Sequence, residues 1–286
     1  MKQLIISAFV AAVAALGPVQ AATPEAKATP KEEAGVVKGI TPEVFEFEPS
    51  VTGDTARLEV YLPEGELKGA VVVCPGGGYA FRSDDKEGRC WVNWFARRGV
   101  ATAVLLYTMP QGHDAQPLAE CSAAMKLMRE NAGKWGFPAD KIGVMGFSAG
   151  GHLASTMATH FTAADRPDFQ ILFYPVINLY KAKTHKGTRK NLIGENPTED
   201  MVKLYSNHLH VTPQTPPAFI FTCQDDKTVN PDNSLDYYSA LTKAKVPSEM
   251  HFYPFGGHGF GFTSPFAYRD QMFFLLDAWI RSTVNN

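Results

Sequence analysis

Gly146-Phe147-Ser148-Ala149-Gly150 sets one serine at the centre of a G-x-S-x-G pattern, directly after the apolar run 142–145 and directly before a run of small residues, 151–161. A strand that feeds straight into a helix leaves room only for a very tight turn, and the flanking glycines keep side chains from colliding with the neighbouring backbone. Such a turn exposes the Ser148 hydroxyl at the carboxyl end of a sheet. It also leaves the Ala149 N–H at a helix N-terminus, where it can hold a developing oxyanion. The plain alternative is a Gly-Ser turn that merely caps a helix.

A serine hydroxyl is a poor nucleophile near neutral pH and needs a base within hydrogen-bond reach, itself oriented by an acid. Of the eight histidines, His258 stands out, because Gly256-Gly257-His258-Gly259-Phe260-Gly261 puts it on a bare loop after the last strand. His152, one helical turn past Ser148, points into packing. His208 and His210 alternate as on a strand and could hold a metal, but no third ligand is evident, and the chemistry needs neither metal nor cofactor. For the acid, Asp225-Asp226 follows the strand 218–222. Consecutive extended residues face opposite ways, so only one of the pair can meet His258. The segment Asp226-Lys227-Thr228-Val229 favours Asp226, with Asp225 in reserve.

A second glycine cluster, Pro75-Gly76-Gly77-Gly78-Tyr79, ends the wholly apolar run 70–74. Three bare residues in a row cost chain entropy, so they imply a turn that needs open backbone. A nucleotide cradle is disfavoured, since the Walker Lys-Ser/Thr and G-x-G-x-x-G are both missing. A flexible turn is one alternative; with Ser148 downstream, the reading favoured is a loop whose Gly77 and Gly78 N–H groups face a reacting carbonyl beside Ala149. Tyr79, Phe81, Trp91, Trp94, Phe260 and Phe262 are near these positions in sequence. Tyr79 and Phe260 are the aromatics expected at the substrate.

The elements that must position these residues alternate. Residues 44–48 and 57–62 read as antiparallel edge strands, 70–74 as a strand buried on both faces, and 86–98 as a helix. A strand over 100–107, a helix over 117–135, the nucleophile strand and its helix, and a strand over 169–174 follow. The rhythm breaks over 178–217, a polar stretch with a short helix near 199–207, read either as an insertion over the carboxyl edge that walls the substrate or as an ordinary connecting excursion. It resumes with strand 218–222, helix 234–245, strand 249–253 and helix 268–281. Alternation of this kind implies an α/β fold, with a mostly parallel sheet covered on both faces. Ligands in such sheets bind beyond the carboxyl ends of the strands.

The chain has 286 residues, 45% of them hydrophobic and 20% charged, with a net charge of −2. That suits one substantial globular core and gives no basic excess that would favour nucleic acid. Residues 1–21 read as a signal peptide: Lys2 precedes the apolar stretch 4–16, and Val19-Gln20-Ala21 ends in small residues. The apolar stretch is shorter than the roughly 20 residues a bilayer span needs, so no stable membrane insertion is expected after cleavage. Residues 22–35 read as a flexible leader and 36–286 as the domain, acting in the periplasm or outside the cell. Cys74 and Cys223 read as buried thiols, whereas Cys90 and Cys121 could bridge two helices.

Taken together, the order Ser148, Asp226, His258, G-x-S-x-G and an upstream glycine loop resembles the α/β-hydrolase fold. More narrowly, Pro-Gly-Gly-Gly-Tyr, Gly-Phe-Ser-Ala-Gly-Gly-His-Leu-Ala, Asp-Asp-x-x-Val, Gly-Gly-His-Gly-Phe and the insertion piece 184–194 are similar to secreted bacterial carbohydrate acetylesterases. That group includes acetylxylan esterases and their feruloyl-esterase relatives. Pro75 stands where the group carries histidine in its glycine loop. The resemblance implies a cofactor-free serine esterase acting on an acylated carbohydrate through Ser148, Asp226 and His258. A feruloyl or general carboxylesterase shares every catalytic residue, and an inactive carbohydrate-binding relative would share the fold.

Overall fold

The computed structural model describes residues 40–262 and 265–284. The expected signal peptide and leader lie outside the described residues. Among the described residues, eight strands form one sheet in the order β1-β2-β4-β3-β5-β6-β7-β8. They are β1 (Glu43–Glu46), β2 (Arg57–Tyr61), β3 (Gly69–Cys74), β4 (Val100–Leu106), β5 (Ile142–Phe147), β6 (Gln170–Phe173), β7 (Ala218–Cys223) and β8 (Ser248–Tyr253). The β1–β2 and β2–β4 pairings are antiparallel and all the others parallel. The expected α/β architecture is therefore the observed one.

Seven α-helices occur among the described residues: α1 (Val92–Ala96), α2 (Ala115–Trp135), α3 (Ser148–Thr159), α4 (Lys186–Ile193), α5 (Glu199–Leu204), α6 (Asp232–Lys243) and α7 (Arg269–Val284). Side chains alternate across a strand, so β3 divides its residues between two cores. Val72 and Cys74 pack with Met125, Met128, Leu153 and Leu241 from α2, α3 and α6. Val71 and Val73 pack with Trp91, Trp94, Phe273 and Leu276 on the opposite side, under α1 and α7. Fully buried β3, β4, β5, β6 and β7 explain why those segments read as continuous apolar runs rather than alternating ones. None of the helices among the described residues is long and apolar enough to cross a membrane.

Three expectations need correction. The helix placed at 86–98 is a turn, a 3₁₀ segment over Arg89–Trp91 and the short α1. Its first residues are tied elsewhere: Arg89 N–H and Cys90 N–H reach back five residues, to the carbonyls of Asp84 and Asp85. The polar stretch 178–217 holds a further helix, α4, which His185 caps at its N-terminus. Finally, Cys90 and Cys121 do not bridge: all four cysteines are free, and the sheet separates these two, Cys121 packing on one face and Cys90 on the other.

Candidate active site

The strand order reverses around β3, and β3 and β5 are hydrogen-bonded neighbours, so the loops leaving them open side by side at the carboxyl edge. β5 delivers Ser148 in a left-handed conformation, φ +52°, and α3 starts at that residue. This sharp turn is possible only because the chain is bare where it touches its neighbours. A Cβ on Gly150 would lie 2.0 Å from the Cys74 carbonyl oxygen, and one on Gly146 would lie 2.1 Å from that of Gly150.

His258 and Asp226 arrive from the loops after β8 and β7. His258 Nε2 lies 3.0 Å from Ser148 Oγ, and its Nδ1 lies 2.7 Å from Asp226 Oδ2. Asp226 is fully buried at its side chain, and its other oxygen accepts from the N–H groups of Thr228 at 2.8 Å and Val229 at 3.0 Å. A carboxylate saturated in this way cannot turn, so Nδ1 of His258 carries the proton and Nε2 is free to accept one from the serine. Asp225 does a different job. Its Oδ1 accepts from Gly257 N–H at 2.8 Å, which ties down the loop that carries His258.

The glycine loop lies against the nucleophile, since a Cβ on Gly76 would sit 3.1 Å from Cβ of Ser148. Gly77 has φ +136°, and a side chain there would strike the Phe81 carbonyl at 2.1 Å, so only glycine fits. Three clamps fix the loop. The Pro75 carbonyl accepts from the Tyr107 hydroxyl at 2.7 Å, the Gly78 carbonyl from Asn191 Nδ2 at 2.8 Å, and Gly76 N–H donates to Glu87 Oε2 at 2.9 Å. The N–H groups of Gly77, Gly78 and Ala149 donate to no acceptor among the described residues. An oxyanion formed at Ser148 would thus meet fixed, uncommitted donors with little reorganisation.

Several residues that the sequence did not single out support this arrangement. Tyr174, at the end of β6, packs its ring 4.6 Å from the His258 ring. Its hydroxyl donates to Glu87 Oε1 at 2.7 Å and accepts from Gly261 N–H at 3.1 Å. Glu87 is a buried acid that links the glycine loop, through Gly76 N–H, to the histidine's loop, through Tyr174 and Gly261, and burial pushes its carboxyl above the usual range. No local sequence signal marks it, because a charged residue between polar neighbours reads as solvated. Asn191 and His185 come from α4 and its N-cap, and so belong to the segment expected to wall the site.

The two aromatics expected at the substrate are elsewhere. Tyr79 is 2% exposed, and its hydroxyl donates to Nδ1 of His152, whose Nε2–H donates to the Tyr205 carbonyl. Burial holds His152 neutral, with its pKa pushed down to about 4. Phe260, also 2% exposed, stacks on Phe266 at 4.3 Å and meets Tyr174 edge-on. Both rings are occupied by core contacts. Of the six aromatics near the site in sequence, the exposed one is Phe81, at 62%, with its ring beside Gly77. His210 Nε2 bonds the Lys203 carbonyl, and no three His, Cys, Asp or Glu side chains cluster as a metal site among the described residues.

The BD-FAE family description matches residues 58–241. An acetylxylan esterase of Xylanibacter ruminicola is 36% identical over 231 residues, which cover 79% of this chain and 48% of that protein. Endo-1,4-beta-xylanase B of Butyrivibrio fibrisolvens is 34% identical over 72% of this chain and 35% of its own length. The chain thus spans about half or less of the length of these two relatives. Among solved structures, an acetyl ester-xyloside bifunctional hydrolase from Caldicellulosiruptor lactoaceticus superposes with a TM-score of 0.79 at 33% identity, covering 85% of this chain and 98% of that one.

Proposed function

The chain belongs to the BD-FAE family, and on that premise we propose that it is a serine esterase that removes acetyl groups from xylan-type polysaccharides. The observation that carries the reading is the relay Asp226–His258–Ser148, at 2.7 and 3.0 Å, beside the uncommitted N–H groups of Gly77, Gly78 and Ala149. His258 Nε2 takes the proton of Ser148 as Oγ attacks the ester carbonyl, and the carbonyl oxygen becomes an oxyanion among the three N–H groups. His258 returns the proton to the departing sugar oxygen, which leaves an acetyl-serine. Water then adds to that ester by the same route and releases acetate and the free serine. Asp226 holds the imidazole in the required tautomer and stabilises its cation.

Phe81 supports a sugar substrate. Its exposed ring beside Gly77 offers a flat apolar face to the C–H side of a pyranose. The relatives named as an acetylxylan esterase and a xylanase support the same substrate class. We further place the protein's work in the periplasm or outside the cell, on the strength of the apolar stretch 4–16 behind Lys2. The mature protein should then begin at Ala22, which N-terminal mass analysis would read directly.

A panel of acetylated xylan, methyl ferulate and p-nitrophenyl esters of rising chain length tests the activity. Acetate release from xylan, abolished by a serine-directed phosphonylating reagent that labels Ser148, is the expected result. Preference for methyl ferulate or for octanoyl and longer esters would overturn the acetyl reading.

A further inference from the structure

His185 caps α4 with its side chain, and the bonds at that cap fix which ring nitrogen bears the proton. Its Nδ1 accepts from the backbone N–H of Thr188 at 3.2 Å and lies 2.8 Å from the Thr188 hydroxyl. A backbone N–H can only donate, so Nδ1 presents its lone pair and the proton of the neutral ring resides on Nε2. That Nε2–H has no acceptor among the described residues. The half-buried ring edge faces the site: Cε1 lies 3.5 Å from where a Cβ on Gly78 would stand. Asn191, two turns along the same helix, bonds the Gly78 carbonyl and keeps α4 seated on the loop. Burial lowers the His185 pKa, which favours the neutral ring.

We infer that His185 is a substrate-positioning residue whose Nε2–H donates to an oxygen of the departing sugar, the hydroxyl next to the acetylated position. The inference rests on the acetylesterase reading and extends it. His258 must deliver its proton to the leaving oxygen, and a donor seated against Gly78 in the same site is placed to meet the alcohol part of the ester. A fixed donor there selects alcohols that carry a neighbouring oxygen and gives nothing to a simple alkyl ester. It touches the leaving group rather than the reacting carbonyl, so it acts on specificity more than on the chemical step.

The test compares a monoacetylated methyl xyloside with ethyl acetate on the parent and on His185→Ser. Serine is a good N-cap that still accepts from Thr188 N–H, so the melting temperature should hold near that of the parent; His185→Ala lacks the cap and should melt lower. The expected result for His185→Ser is a fall in kcat/KM on the acetylated xyloside about tenfold greater than on ethyl acetate, with most of the difference in KM. The parent acting on the same xyloside with the neighbouring hydroxyl removed should show a matching loss. Equal losses on both esters, or no loss, would overturn the role of His185 while leaving the acetylesterase reading standing. A parent that cleaves ethyl acetate but not the acetylated xyloside would overturn both.

Discussion

Replacing Asp226 by asparagine isolates the orienting role of that carboxylate. Oδ1 already accepts two backbone N–H groups, from Thr228 and Val229, and Oδ2 faces His258 Nδ1. Asparagine has a single acceptor oxygen. Turning its NH2 toward two N–H donors would leave buried donors unsatisfied at about 1–3 kcal/mol each, so the oxygen stays on the backbone side. The NH2 then points at Nδ1, and the ring must accept there. Its proton moves to Nε2, which now donates to Ser148 Oγ instead of accepting from it. The base is lost without any change of shape, and kcat should fall about 10⁴-fold, equivalent to roughly 5.4 kcal/mol in the barrier. Asp225→Asn keeps an oxygen for Gly257 N–H and should change kcat by no more than about twofold. Initial rates on p-nitrophenyl acetate, with circular dichroism to verify folding, decide the matter. A folded Asp226→Asn enzyme within tenfold of the parent, or a larger loss in Asp225→Asn, would refute the reasoning.

Three further outcomes are expected. Gly150→Ala should cost about 3 kcal/mol or more, or prevent folding, because the added methyl meets two backbone carbonyls at 2.0 and 2.4 Å that no rotamer change can relieve; soluble yield and melting temperature read this, and a parent-like Tm would contradict it. Burial raises the Glu87 pKa above its unfolded value, so its contribution to stability is complete below the usual carboxylate range and is lost as pH rises through the folded pKa. The destabilisation caused by Glu87→Gln should therefore be greater near pH 4 than near pH 7 in urea titrations, and a gap that widens with pH would contradict it. Peptide mapping under non-reducing conditions should recover Cys90 and Cys121 in separate alkylated peptides, since the sheet lies between them; a linked pair would contradict the fold.

The convergence of Ser148, Asp226 and His258 was legible in the sequence because these positions are marked by backbone requirements. Ser148 and His258 are framed by glycines that have little other use, and Asp226 follows a strand whose end the apolar run 218–222 locates. Strand identity was legible for the same kind of reason, since residues buried on both faces leave no polar alternation. What sequence distance could not give was direction. Tyr79 is next to the glycine loop, but with φ +57° its ring turns into the core toward His152, whereas Phe81, two residues on, faces out. Helix α4 was hidden because Lys186-Gly187-Thr188-Arg189-Lys190 has a glycine and few apolar residues, and only Thr188, Leu192 and Ile193 are buried. Glu87 and Tyr174 meet across 87 residues of sequence, a relation that no local pattern encodes.

The left-handed turn at position 148 sets the interests of folding and of catalysis against each other at one residue. A non-glycine side chain there costs about 1 kcal/mol relative to glycine, and the penalty is borne throughout the life of the protein for the sake of a single hydroxyl. Selection of variants for heat tolerance alone would drift toward Ser148→Gly and return a sturdier, inert protein. Any campaign to toughen this protein must therefore score the proposed ester turnover in every round.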